Sequence, residues 1–171
     1  WQIASVVAVS VDNSPIGAFA LADSLKEDSL QAIQRLHQHN IDVVIMSGDQ
    51  QSVVDYVAQQ VGVKTAQGNC SPRDKATYIE RLRQQGKVVA MVGDGVNDAP
   101  ALAMANVSFA MKSGSDVAEQ TASATLMQHS VDQLVDGLMI SRATLKNIKQ
   151  NLFFALIYNV LGIPLAALGY L

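Results

Sequence analysis

The chain has 171 residues, 49% of them hydrophobic, and a formal net charge of -3, which suits one domain with a sizeable core and an appendage. Without a basic excess, nucleic acid is excluded as a partner. The single cysteine, Cys70, rules out an internal disulfide framework and fits a reducing interior; with no second Cys or nearby His it reads as a small packed residue.

Gln2 to Val11 is Val-rich and loosely alternating, which predicts a strand. Asp12-Asn13-Ser14-Pro15 predicts a turn and Ile16 to Leu21 a returning strand, together an antiparallel hairpin. From Ser24 the period changes, and Leu25, Leu30, Ile33 and Leu36 form a helical stripe that ends near His37 and His39. Two histidines at i,i+2 lie on different helical faces, so they read as solvated residues at a helix end rather than as metal ligands.

Asp42 to Met46 is the next apolar strand, followed by Ser47-Gly48-Asp49. A helix over Gln51 to Gln60 stops near Gly62, Lys64 to Gln67 is a short strand, and Ser71 caps a helix with Pro72 in its first turn that runs to about Gln85. Lys87 to Val92 has the β-branched apolar run of a buried parallel strand. Gly93 and Gly95 turn the backbone, and Asp98-Ala99-Pro100 opens a helix with an acid at its cap. After that helix, Val107 to Met111 is a strand, Ser115 to Gln120 a short helix, Ala124 to Met127 an edge strand and Val131 to Lys149 a long helix. Strands alternating with helices predict an α/β fold with a doubly wound parallel sheet.

Every Asp, Glu, Lys and Arg lies at or before Lys149, and Leu152 to Leu171 is apolar apart from Tyr158, Asn159 and Tyr170. At about 1.5 Å per residue such a run crosses a hydrocarbon core of about 30 Å; a buried core helix is the alternative. Its C-terminal position excludes a cleaved signal peptide. Arg142, Lys146 and Lys149 just upstream set that side toward the cytoplasm. The expected division is therefore an α/β region over 1–130, a connecting helix over 131–150 and a transmembrane helix over 151–171, with residues 1–150 cytoplasmic.

Three features converge on one chemistry. In a doubly wound sheet, the strand ends at Ser47-Gly48-Asp49 and Gly93-Asp94-Gly95-Val96-Asn97-Asp98 and the helix head at Lys75 can share one carboxyl edge, where open α/β sheets bind ligands. Asp94 and Asp98 are hard oxygen donors that suit Mg²⁺; a hydroxyl at Ser47 and an ammonium at Lys75 suit phosphoryl oxygens. Positioning and charge neutralisation are what phosphoryl transfer requires. The constellation resembles the haloacid dehalogenase-like enzymes, which attack phosphate with an aspartate at the end of the first core strand. Asp12 ends an apolar strand, but Ser14 stands where soluble members carry a second acid, and Pro15 suits a hairpin.

Over nearly its whole length the chain resembles the C-terminal part of a heavy-metal-transporting P-type ATPase, most like the copper-transporting class. The resemblance rests on Asp23-Ser24-Leu25-Lys26, Met46 to Asp49, Pro72 to Lys75, Val92 to Leu102, Ala110-Met111, Ser113 to Ala118 and Asn151-Leu152-Phe153. It implies an incomplete haloacid dehalogenase-like phosphorylation domain followed by one transmembrane helix, in a pump exporting Cu⁺ at the expense of ATP, in the membrane, the cell inner membrane being the expected one. It implies Ser47, Gly48, Asp49, Lys75 and Asn97 as catalytic residues, Asp94 and Asp98 at the Mg²⁺ site, and Tyr158-Asn159 in the ion pathway. Polar groups within a bilayer are costly and mark a pathway or a helix contact; for Tyr158, interfacial anchoring is the alternative.

Ser47 stands where the family usually has Thr, and Asn106, Ser108, Lys112 and Glu119-Gln120 also depart from its pattern. No Asp-Lys-Thr-Gly-Thr is present, so the phosphorylated aspartate is expected upstream of Trp1, with ATP held largely by the missing N-terminal part. Two rivals are a membrane-anchored phosphatase using Asp12 and a non-catalytic truncated pump fragment. Selectivity for Cu⁺ over Ag⁺ or Zn²⁺ depends on ligands mostly outside the chain.

Overall fold

The structure is a computed structural model that describes residues 5–21, 25–94, 96–112, 116–127 and 130–169. It forms two compact units that divide between Gln133 and Leu134.

The first unit opens with a hairpin of β1 (Ser5–Val11) and β2 (Ser14–Leu21). Its turn is only Asp12-Asn13, at φ 48° and 62°. Two consecutive positive φ values match the twist of the flanking strands, and Asp and Asn tolerate them best after Gly. Register slips between Val9 and Ser10, beside Pro15, which has no N–H for the ladder. Pro15 thus lies within β2 rather than in the expected turn.

Parallel strands follow, each joined to the next by a helix. β3 (Val44–Met46) pairs with β4 (Thr65–Gln67) across α2 (Gln51–Val61). β5 (Ala90–Gly93) pairs with β6 (Val107–Met111), and β6 with β7 (Ala124–Leu126), the crossovers being α4 (Ala99–Met104) and α5 (Asp116–Thr121). In the chain, α3 (Pro72–Gln84) connects β4 to β5, and a single 3₁₀ turn, Val96–Asp98, leads into α4. Among the described residues the expected single sheet is in two pieces: β3 pairs with β4 alone and β5 with β6 alone. The five parallel strands and their helices are otherwise the α/β arrangement that the alternation predicted.

Each helix buries a face dictated by its spacing. α1 (Glu27–Gln38) buries Ala32, Ile33 and Leu36, whereas Leu25 and Leu30 remain more than 40% exposed; the stripe lies one position round from the expected one because small Ala32 takes the innermost place. α2 buries Val54, Ala58 and Val61 and ends at Gly62, whose φ of 75° forms a left-handed cap. Leu102, Ala110 and Ala118 are nearly inaccessible and pack with Met91 and Ala122 into one cluster beneath β5 and β6. Val88, expected inside a strand, is 85% exposed. The adjoining Val89 N–H donates to Asn106 Oδ1 at 2.9 Å and its carbonyl accepts from Asn106 N–H, so a side chain replaces the ladder and the strand starts only at Ala90.

The last element is α6 (Val131–Ala167), a 37-residue helix that continues through Lys149 without a break. Ser130 caps it, accepting from Asp132 N–H at 3.1 Å, and also donates to Asp28 while Arg35 pairs with Asp132. Both ends of α1 thereby hold the first turn of α6. The second unit is the rest of this helix. It is long and apolar enough to cross a membrane, and none of its apolar window is buried.

Candidate phosphate and metal site

Ser47 leaves the end of β3 with its N–H donating to Gln67 O of β4 at 3.0 Å. Its Oγ donates to Asp49 Oδ2 at 2.7 Å and accepts from Asp49 N–H at 3.2 Å. The one hydroxyl proton of Ser47 is thus held by Asp49, which does not itself line the cavity described below.

Lys75 is set by the start of α3. Ser71 Oγ accepts from Asp74 N–H at 3.2 Å while Asp74 Oδ2 accepts from Ser71 N–H at 2.9 Å, with Pro72 at the first helical position. This reciprocal box satisfies two of the orphan donors of the helix and defines its first turn, which carries Lys75. Ser71's hydroxyl and N–H hold the Asp74 carboxyl below its ordinary value. Cys70, just before the cap, is buried, and that burial pushes its thiol up, with Asp74 adding to the effect and Lys75 opposing it. Its Sγ lies 3.4 Å from Gln67 O, so it is the packed residue the sequence predicted.

Asp98 occupies the centre of the site. It stands at the cap position of α4, but its side chain makes no cap hydrogen bond, unlike the expectation for an acid opening that helix. Lys75 Nζ instead donates to Asp98 Oδ1 at 2.8 Å, and Asp94 N–H donates to Asp98 Oδ2 at 3.3 Å. The two charged side chains are 14% and 10% exposed, and a charge this secluded is drawn to a partner more strongly than to an N–H of the helix end. Gly93 makes the approach possible: a Cβ there would stand 2.7 Å from both Asp98 Cβ and Oδ2.

One cavity of about 270 Å³ joins these parts, lined by Ser47, Lys75, Asp94 and Asp98 together with Met46, Met91 to Gly93 and Met111. The two sheet pieces thus present their carboxyl ends to a common space. Asp94 is exposed, Asn97 lies exposed on the 3₁₀ turn, and Gly48 is exposed beside the carbonyl of Cys70; neither Asn97 nor Gly48 lines the cavity. Asp12 sits in the hairpin turn and does not line it either. Tyr158, 77% exposed, and Asn159 belong to the second unit. Gly95, Asp23-Ser24 and Ser113-Gly114-Ser115 lie outside the described residues.

The fit to a divalent cation can be judged from charge. Asp94, Asp98 and Lys75 sum to one excess negative charge at the cavity, which repels a phosphate dianion until a cation is added. Asp94 offers an exposed carboxylate for that cation, and both oxygens of Asp98 already hold protein donors. The donor set is all oxygen, as Mg²⁺ prefers, and its few protein ligands match an ion that retains water and phosphate. Among the described residues, no group of three or more His, Cys, Asp or Glu makes a self-sufficient metal cage. Sequence reasoning placed these residues but missed two things: the Lys75–Asp98 pair, and the role of Gly93 as a contact rather than a hinge.

The family model for haloacid dehalogenase-like hydrolases matches residues 2–106. The chain is 77% identical over all 171 residues to a probable cation-transporting ATPase of Haemophilus influenzae, of which it covers 24%. It is 44% identical over 167 residues, 98% of its length, to the copper-exporting P-type ATPase of Bacillus subtilis, of which it covers 21%. The solved structure of a zinc-transporting PIB-type ATPase in the E2.Pi state superposes with a TM-score of 0.88 at 35% identity, covering 99% of this chain and 28% of that one. The chain thus spans about a quarter of the length of the curated relatives it matches.

Proposed function

Because the chain belongs to the haloacid dehalogenase-like hydrolases, we propose that it supplies the phosphate- and Mg²⁺-binding loops of an ATP-driven copper(I)-exporting P-type ATPase. The observation that carries this reading is the single cavity onto which Ser47, Lys75, Asp94 and Asp98 open.

Ser47 turns its hydroxyl proton from Asp49 to a phosphoryl oxygen, with Gly48 leaving the backbone free to approach. Lys75, held by Asp98, supplies positive charge as the phosphoryl group moves. Asn97 reaches the phosphate or its metal from the neighbouring turn. Asp94 and Asp98 would hold Mg²⁺, Asp98 also keeping Lys75 in place; when bound, the ion would neutralise charge on the phosphoryl oxygens. The aspartate that accepts the phosphoryl group lies upstream of Trp1, on a parallel strand that enters between β3 and β5. Both of those strands keep one edge unpaired among the described residues, and unpaired edges of parallel strands seek a partner. ATP is bound largely by the remainder of the pump.

The apolar run 151–171, whose described helical part ends at Ala167, spans the membrane, and 1–150 lie on its cytoplasmic side, in a bacterial setting the cell inner membrane, with 131–150 as the connecting helix. Tyr158 and Asn159 line the path of Cu⁺. The copper assignment follows the exporter of Bacillus subtilis; the zinc-transporting neighbour has the same architecture, so the metal is decided by ligands elsewhere in the pump. Asp12, in an exposed hairpin turn away from the cavity lining, gives the phosphatase alternative no support.

The test is metal-stimulated ATP hydrolysis and acid-stable phosphoenzyme by the intact protein. Cu⁺ stimulates both in the wild type, Asp94→Asn abolishes hydrolysis, and Asp12→Asn leaves it intact. Hydrolysis by this chain alone that disappears in Asp12→Asn would replace the pump with the phosphatase.

A further inference from the structure

The loop carrying Ser47 and the helix carrying Lys75 are locked together at a point that the phosphate chemistry does not use. The turn after β4 lies flush against the loop after β3. Asn69 N–H donates to Asp49 O at 2.7 Å and Cys70 N–H to Ser47 O at 2.9 Å. Gly68 is buried between them, and a Cβ there would stand 2.7 Å from Gln51 Cα and 2.8 Å from Asp49 O. Across this contact reaches the side chain of Gln51. Its Oε1 accepts from Gly68 N–H at 2.6 Å, while its Nε2 donates to Ala66 O at 3.3 Å and to Asp55 Oδ1 at 2.7 Å. One donor and two acceptors face the carboxamide, and only a neutral amide in this orientation satisfies all three.

We infer that Gln51 is a positioning residue for the phosphate site, setting the spacing between the Ser47 hydroxyl and Lys75 through Gly68. The turn it holds runs directly from Gly68 into Ser71, the cap of the helix that carries Lys75. Ser47 belongs to the other side of the same contact. Any shift of the turn relative to the loop therefore changes the distance between the two groups that grip the phosphoryl oxygens. Groups that must meet one anion tolerate little displacement, because about 1 Å of misplacement costs up to about a hundredfold in rate. Gln51 touches no substrate; it acts through the two residues that do. The inference rests on the phosphate-site reading above.

Gln51→Glu is the informative change, since it keeps length and the acceptor for Gly68 N–H but sets a carboxylate against Asp55 and the Ala66 carbonyl. Adding Asp55→Asn turns that clash back into a hydrogen bond, with the amide of residue 55 now donating. Gln51→Met serves as a second variant that removes all three bonds without a charge. The assay is inhibition of ATP hydrolysis of the intact protein by orthovanadate, an oxyanion of phosphate's shape, each variant being normalised to its own activity. Gln51→Glu and Gln51→Met are expected to need about tenfold more vanadate for half-inhibition. Asp55→Asn is expected to restore the first and not the second, and the rise in half-inhibition is expected not to scale with the fall in thermal midpoint that the lost hydrogen bonds bring. Unchanged inhibition in both single variants overturns the inference, as does a loss that follows the thermal midpoint and is not rescued. Lys75→Met is the reference: vanadate insensitivity of the wild type, or unaltered sensitivity of Lys75→Met, removes the phosphate site and this inference together. Loss in Lys75→Met without loss in the Gln51 variants removes the inference alone.

Discussion

Lys75→Met tests the centre of the site through stability. The ammonium and the Asp98 carboxylate are 2.8 Å apart and 14% and 10% exposed. At an effective dielectric constant of about 20 their attraction is about 6 kcal/mol before desolvation. Desolvation of two charges offsets most of that, so the pair itself contributes little net stability. Removing one partner is different, because the desolvation of Asp98 then stands uncompensated except by Asp94 N–H at 3.3 Å. Loss of one member of a buried pair costs about 3 to 5 kcal/mol, and the residual exposure here favours the lower end, about 3 kcal/mol. For a chain of this size that is a fall of about 6 to 12 °C in the unfolding midpoint. Thermal and urea unfolding of the 171-residue chain in detergent, followed by circular dichroism, reads it. The double variant Lys75→Met/Asp98→Asn should recover most of the loss, since neither charge remains buried. If Lys75→Met costs less than about 1 kcal/mol, or if the two single costs add within about 0.5 kcal/mol, the pair is not the buried, coupled one described.

Asp74 gives a pH dependence of defined sign. Its folded-state carboxyl lies below the ordinary 3.8, so its stabilising effect is complete above that value and is lost as pH falls through the folded value. The stability difference between wild type and Asp74→Asn should therefore shrink only below about pH 3.8, as measured by urea midpoints across an acid series. Cys70, buried and with its thiol pushed up, should resist maleimide labelling at neutral pH and become reactive only with unfolding, which labelling kinetics in a urea series will show. Gly62→Ala should cost about 1 kcal/mol in the same unfolding assay: no atom stands within 4 Å of the new Cβ, so the cost is that of φ 75° alone.

Much of the candidate site was legible because its residues lie in short contiguous strings. Ser47-Gly48-Asp49 and Gly93 to Asp98 each follow an apolar strand, and the chain's own alternation of strand and helix puts such strand ends on one edge. Ser71-Pro72 with Asp74 carries a helix start in four residues, which is why the position of Lys75 in a first turn was readable. The long helix and its uncharged C-terminal run followed from composition alone.

Other features depend on residues distant in sequence, and no local pattern encodes them. The Lys75–Asp98 bond spans 23 positions, and it converts Asp98 from the expected helix cap into the hub that holds Asp94 and Lys75. Gly93 was readable as a turn glycine, but its need for no Cβ arises from the Asp98 side chain packed on it. Asn106 takes the N–H of Val89, 17 positions away, and so shortens β5. The division of the parallel strands into two pairings was likewise invisible, since sequence shows that a strand exists but not which edge it finds. Periodicity and turn chemistry determined the elements and their order; the choice of partner for each buried charge was decided only by tertiary packing, where desolvation makes a distant ammonium worth more than a neighbouring N–H.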